Sequence, residues 1–205
     1  MASRGKKIAS LQRAQLYSLK GVECSADRIV AIFNLKRGRQ LIMMIGLPAS
    51  GKSTLAEKFV EAGWVRLNKD ALRLELYGDE ENLGDVKEVN RLFYSRLEEA
   101  LKAGRNVLVD NLNFNQSYRR GPIEMARSYG YASITNLLLN VPVEECIRRN
   151  AGRSRHVPEQ VIRDFAVTMY GVGYPRLHEG QLLALGSGSA VGQYVVERLR
   201  KGSQP

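Results

Sequence analysis

Gly46-Leu47-Pro48-Ala49-Ser50-Gly51-Lys52-Ser53-Thr54 decides the fold of this chain. A glycine, four residues and then Gly-Lys-Ser is the spacing of a phosphate-binding loop. Glycine lets backbone N–H groups turn inward without a clashing Cβ. Successive inward donors make a concave nest for phosphate oxygens. Gly46, Ala49, Ser50, Gly51, Lys52, Ser53 and Thr54 are therefore the candidate nucleotide contacts. Lys52 would place a point charge on the β- and γ-phosphates. Ser53 would offer a hydroxyl to Mg²⁺, a hard cation that prefers oxygen ligands.

The flanks agree with the loop. Leu41-Ile42-Met43-Met44-Ile45 is a short apolar run that reads as a buried parallel strand. From Ser53 to Glu61 apolar and polar residues recur at helical spacing, with Leu55, Phe59 and Val60 on one side. The loop thus leads into a helix N-terminus, whose partial positive charge suits a phosphate.

The chain has 205 residues, the size of one domain, with an apolar fraction of 44%. Its net charge of +10 points to a polyanionic partner. Most of the excess lies in residues 1–40, where nine Lys/Arg face Glu23 and Asp27. This segment reads as a basic extension over 1–37, either an arm on nucleic-acid phosphates or a solvated leader. Within it, Asp27 to Lys36 has helical spacing, with Ile29, Val30, Ile32 and Phe33 apolar, and is expected as a helix packed beside the first strand. Cys24 and Cys146 lack metal or redox-motif spacing and read as reduced thiols. No apolar run has membrane-spanning length, and no apolar segment follows the basic N-terminus. The expected location is cytoplasmic, or the host cytoplasm for a phage-encoded chain.

Trp64 to Leu67 reads as a second strand, followed at its carboxyl edge by Asn68-Lys69-Asp70. Ligands of open α/β sheets sit outside that edge, so Asp70 would meet an acceptor hydroxyl there. Arg73, three residues on, shares a helical face with Asp70. A long helix is expected over about Asp85 to Ala103. Val107-Leu108-Val109-Asp110 reads as a buried strand ending in a carboxylate that could support Mg²⁺ or its water. The asparagines after it suit turns. Pro122 fits a helix first turn, with the helix running to Tyr129. Ile134 to Leu139 reads as a strand and Val143 to Asn150 as a helix.

Arg148, Arg149, Arg153, Arg155 and His156 then fall within nine residues, ahead of Val157-Pro158. They read as a lid whose arginines close on a triphosphate. A helix over Pro158 to Tyr170 and a strand over Gln181 to Leu185 complete a kinase-sized domain over 38–185. Residues 186–205 are expected as a tail with a terminal helix. Strands and helices alternate from Leu41 to Tyr170, which argues a parallel sheet covered on both faces.

The phosphate loop, Asn68-Lys69-Asp70-Ala71-Leu72-Arg73, Val107 to Asn113, and Arg148 through Pro158 appear in order. Together they resemble the kinase domain of phage polynucleotide 5′-kinase and its relatives, over roughly residues 40–172. The resemblance implies an α/β P-loop kinase fold, ATP and Mg²⁺ as cofactors, and a nucleic-acid acceptor, DNA or RNA. It implies that Asp70 is the general base, that Arg73 contacts the acceptor strand, and that Arg153 stabilises the transferring phosphate. The family's acidic residue after the third strand falls on Asp110 or Asn111, depending on register. Two other acceptors stay open: a base hydroxyl in DNA such as that of 5-hydroxymethyluracil, and a small-molecule or tRNA-linked hydroxyl. A nucleotide-switched binding module is the non-enzymatic alternative. It would need neither Asp70 nor the arginine lid.

Overall fold

The computed structural model describes residues 21–36, 38–154, 156–190 and 192–197. Its centre is β2 (Gln40–Ile45), the apolar run before the phosphate loop, buried at every position. The other strands are β1 (Glu23–Ser25), β3 (Val65–Leu67), β4 (Val107–Asp110), β5 (Ser133–Leu139), β6 (Gln181–Ser187) and β7 (Gln193–Val196). They form one seven-stranded sheet in the order β1-β7-β6-β5-β2-β4-β3. From β3 to β6 every pairing is parallel, while β7 runs antiparallel to both β6 and β1.

Successive side chains of a strand face opposite sides, so a strand buried on both faces must be apolar throughout. On one face, α1 (Ala26–Asn34) and α2 (Lys52–Glu61) cover Ile42, Met44, Leu108 and Leu137. On the other, α3 (Lys69–Tyr77), α4 (Val86–Lys102) and α5 (Gln116–Ser128) cover Leu41, Met43, Val107 and Val109. Further along that face, α6 (Val143–Ala151) and α7 (Glu159–Tyr170) pack on Ile45, Leu138 and Ala184.

Three expectations are corrected. The segment read as a basic extension contributes β1 to the sheet, and α1 forms where its helical spacing led one to expect it, so both belong to the folded body. Ser25 caps α1 by accepting from Arg28 N at 3.2 Å, and Phe33 joins Phe59 and Trp64 in an edge-to-face aromatic cluster. Trp64 Nε1 also donates to Asn34 Oδ1 at 2.8 Å. The segment expected as a tail with a helix holds strand instead. Tyr194 and Val196 are buried while Gln193 and Val195 are half-exposed, a period of two that suits a strand. Helix α5 begins at Gln116, capped by Asn115, so Pro122 lies in its interior. Pro122 has no N–H to donate one turn back, and the helix continues without that bond. Residues 1–20 of the basic arm, Arg155 of the lid and residues 198–201 of the expected terminal helix lie outside the described residues.

Candidate active site

Strand β2 lies between β4 and β5, and the connection from β2 runs to β3 on one side while that from β4 runs to β5 on the other. Such a switch point opens a crevice at the carboxyl ends of the strands. The phosphate loop fills it. Ala49 takes a left-handed φ of 59° and Gly51 one of 92°. A Cβ at Gly46 would stand 2.7 Å from Ser50 Oγ and 3.2 Å from Leu139 Cβ, so the loop closes only around glycine. Gly51 is the N-cap of α2 and no side chain caps that helix. Its first N–H groups are left for a ligand. Ser50 Oγ is buried with no hydrogen-bond partner among the described residues. A buried hydroxyl without a partner is costly, and a phosphate oxygen would satisfy it.

Lys52 Nζ donates to two loop carbonyls, Gly46 O at 2.8 Å and Leu47 O at 2.7 Å. Burial pushes its pKa down to about 8; Asp110 opposes that shift and Arg153 adds to it. Bound phosphate would favour the charged form and raise the pKa again. Protons are then taken up on nucleotide binding above pH 8, so affinity falls as pH rises. ATP affinity is expected to be roughly tenfold or more weaker at about pH 9.5 than at about pH 7.5. Tyr194, pushed up to about 12 by burial, stays neutral across that window. Titration of a fluorescent ATP analogue checks this; a flat profile would show that Lys52 is not the titrating group.

Asp110 ends β4 and is buried. Its Oδ2 accepts from both Nε (3.0 Å) and Nη2 (2.5 Å) of Arg66, on neighbouring β3. Asn111 faces elsewhere, with its Oδ1 accepting from Lys69 N at 2.9 Å. Asn68 donates to Asp110 O and caps α3 by accepting from Ala71 N at 2.9 Å. These bonds fix the first turn of α3 against the end of β4. Asp70 sits in that turn, 42% exposed, and is paired with Arg73 of the same helix. Arg73 is more buried, and its Nε has no hydrogen-bond partner among the described residues.

The lid arginines stand at the end of α6. Arg149 donates to Glu145 at 2.6 Å and to Ser187 Oγ at 3.3 Å. Glu145, held by Arg148 and Arg149, is pulled down to about 2. Arg153 is exposed just past the helix. Buried Asn150 closes the lid turn: its Nδ2 donates to Val157 O at 2.8 Å and its Oδ1 accepts from Val157 N at 3.2 Å. Asn150→Ala leaves both backbone groups unpaired, at a cost of about 1–3 kcal/mol. The expected readout is faster amide exchange in the turn, at Gly152, Arg153 and Val157; unchanged protection would remove Asn150 as its staple.

The asparagine loop after β4 is anchored rather than merely turned. Asn113 adopts φ 48°, and its amide donates to Met44 O at 2.8 Å and Val109 O at 3.1 Å. Arg119 lies wholly buried beneath it, donating to Asn113 O at 2.7 Å. Arg119 also makes a two-pronged ion pair with buried Glu179, at 2.6 and 3.0 Å. The sequence reading gave no role to Arg66, Arg119, Asn150, Glu179 or Tyr194. Arg66, Arg119, Glu179 and Tyr194, whose hydroxyl donates to Gly51 O at 3.3 Å, act through partners distant in sequence, so no local spacing marks them; Asn150 acts within the lid itself, on Val157.

The fold agrees with the comparisons. Residues 41–170 match the family described as an AAA domain. The chain belongs to that family. Among its relatives, this AAA-domain chain is 27% identical over 146 residues to a protein of Autographa californica nuclear polyhedrosis virus named for polynucleotide kinase and RNA ligase activities; 64% of this chain and 21% of that protein are covered. It is 28% identical over 133 residues to L-seryl-tRNA(Sec) kinase of Methanococcus maripaludis, covering 60% and 50%. In fold it resembles a chain of the Pnkp1/Rnl/Hen1 RNA repair complex, with TM-score 0.59 at 19% identity, covering 81% and 50%. The AAA-domain chain spans between a fifth and a half of the length of these relatives. No helix among the described residues is long and apolar enough to cross a membrane.

Proposed function

We propose that this chain is an ATP-dependent kinase that transfers the γ-phosphate to a hydroxyl of a nucleic acid, first of all a polynucleotide 5′-OH. The observation that carries the reading is one shared edge. The phosphate loop follows β2, the Asp70–Arg73 pair follows β3, and Arg149 reaches Ser187 at the end of β6, all at the carboxyl ends of the parallel strands. In the proposed step Asp70 takes the proton of the acceptor hydroxyl. The hydroxyl oxygen bonds to the γ-phosphorus, the bond to the β,γ-bridging oxygen breaks, and ADP leaves. Most of the acceleration comes from positioning and from neutralising charge, not from covalent chemistry by the protein.

Lys52 would leave the loop carbonyls for the β- and γ-phosphates. Arg149 and Arg153 would meet the triphosphate from the lid. The unpartnered Nε of Arg73 suits a phosphate of the acceptor strand. For Mg²⁺ the chain offers the exposed Ser53 hydroxyl and the Asp110 carboxylate. Arg66 already occupies one Asp110 oxygen, so that residue would act through a metal-bound water. This fits an ion that keeps waters and binds through few side chains plus substrate phosphates. When bound, Mg²⁺ supplies neutralisation of the β- and γ-oxygens.

The net charge of +10 and the relatives' names both favour a polyanionic acceptor. The test is transfer of labelled γ-phosphate to an acceptor panel: 5′-hydroxyl DNA and RNA, duplex DNA with and without 5-hydroxymethyluracil, seryl-tRNA, nucleosides and gluconate. Label at a polynucleotide 5′ end is the expected result. Label confined to the modified duplex, the charged tRNA or a small molecule would reassign the acceptor while keeping the phosphotransfer.

A further inference from the structure

An aromatic column runs from α7 through the loop after β4 to the first turn of α5. Phe165 of α7 stacks on Phe114 with ring centroids 4.6 Å apart and planes at 27°. Phe114, in the loop after β4, meets Tyr118 edge-to-face at 5.6 Å and 81°. Phe114 is buried in the same hydrophobic cluster as Leu47 of the phosphate loop. Tyr118 ends it. That residue is 56% exposed, and it is the one aromatic among the exposed large hydrophobic residues described.

The column is held from behind. Gly173 packs so closely that a Cβ there would lie 2.0 Å from Phe114 O. Arg119 and Arg127 of α5 grip Glu179 and the His178 carbonyl, and Gln116 meets His178 at 3.2 Å. The loop so fixed carries Arg176 and His178, both exposed, beside the first turn of α5. Tyr118 is therefore a ring held by an edge-to-face contact with Phe114, more than half exposed, with Arg176 exposed on the adjoining loop.

We infer that Tyr118 is a stacking shelf for a nucleobase of the acceptor strand, at its first or second nucleotide. This rests on the polynucleotide reading above. Single-stranded nucleic acid is commonly held by an aromatic face for the base and cations for the backbone, and any base can use such a face. The loop also exposes Val172 and Leu177, but the net charge of +10 and the exposed Arg176 favour a polyanionic strand over an apolar protein surface. A ring already braced by Phe114 and Phe165 also loses little freedom on binding.

The test is steady-state phosphorylation of a 5′-hydroxyl oligonucleotide by the wild type, Tyr118→Ala and Tyr118→Phe. Removing one base–aromatic stack should raise the acceptor KM roughly 5- to 150-fold in Tyr118→Ala. Tyr118→Phe keeps the ring and should restore it. The KM for ATP should not follow the same pattern. An oligonucleotide abasic at its first and second nucleotides should bind poorly to the wild type and no worse to Tyr118→Ala. That convergence is specific to stacking and would not arise from a general loosening of α5. If the wild type labels the oligonucleotide but Tyr118→Ala has an unchanged acceptor KM, the shelf is wrong, and the ring serves a protein contact or none. If the wild type labels no polynucleotide, the acceptor reading itself fails and takes the shelf with it.

Discussion

Asp70→Asn is expected to lower kcat for phosphoryl transfer by roughly 10²- to 10⁴-fold, the usual contribution of a positioned general base. That is about 3–5 kcal/mol of activation free energy. ATP affinity should stay close to wild type, because the two sites are built on separate elements. The phosphate loop hangs between β2 and α2, whereas Asp70 belongs to α3, fixed by Asn68 and Asn111 against β4. Asparagine preserves shape and hydrogen bonding but cannot accept the proton or hold the ion pair with Arg73. The change therefore isolates charge and basicity from packing. Rapid-quench measurement of the transfer step, beside equilibrium ATP binding, separates the two effects. A rate within tenfold of wild type would remove Asp70 as the base. A parallel loss of ATP binding would mean that Asp70 shapes the nucleotide site instead.

The parts legible in sequence are those whose physics is local. The Gly46–Ser53 spacing fixes a loop by itself, since its requirements of small residues and one lysine lie within eight positions. Apolar runs such as Leu41 to Ile45 and Val107 to Val109 announce strands buried on both faces. The placement of Asp70 followed from the same reasoning, as the first helical turn after a strand in an open sheet. What stayed hidden is long-range. Arg66 is unremarkable in sequence, and only the β3–β4 pairing carries its guanidinium to Asp110. The strand around Tyr194 was masked by flanking glycines and serines and by its short length. Its pairing with β6 is supplied by tertiary structure. Pro122 misled because proline signals a helix first turn more often than an interior. Here Asn115 had already begun the helix.

Glu179→Ala is expected to destabilise the fold by about 3–5 kcal/mol, because it strands the buried charge of Arg119. Arg119 is fully buried and Glu179 almost so. Both carboxylate oxygens are engaged, one by Arg119 Nε and the other by Arg119 Nη2 and Arg176 N. For a chain of this size the loss corresponds to a melting temperature lower by about 6–20 °C. Arg119→Met should cost a similar amount, leaving the carboxylate unpaired. The combined Arg119→Met, Glu179→Leu variant should recover much of the loss, since apolar replacement of a buried pair is often neutral or better. Thermal melts of the three variants test this, and single variants that melt like wild type would show that water reaches the pair. The cycle also bears on function. Arg119 supports Asn113 O, and Asn113 ties its loop to the end of β2 just before the phosphate loop. A double variant that regains stability but not phosphoryl transfer would show that the pair also sets the position of that loop.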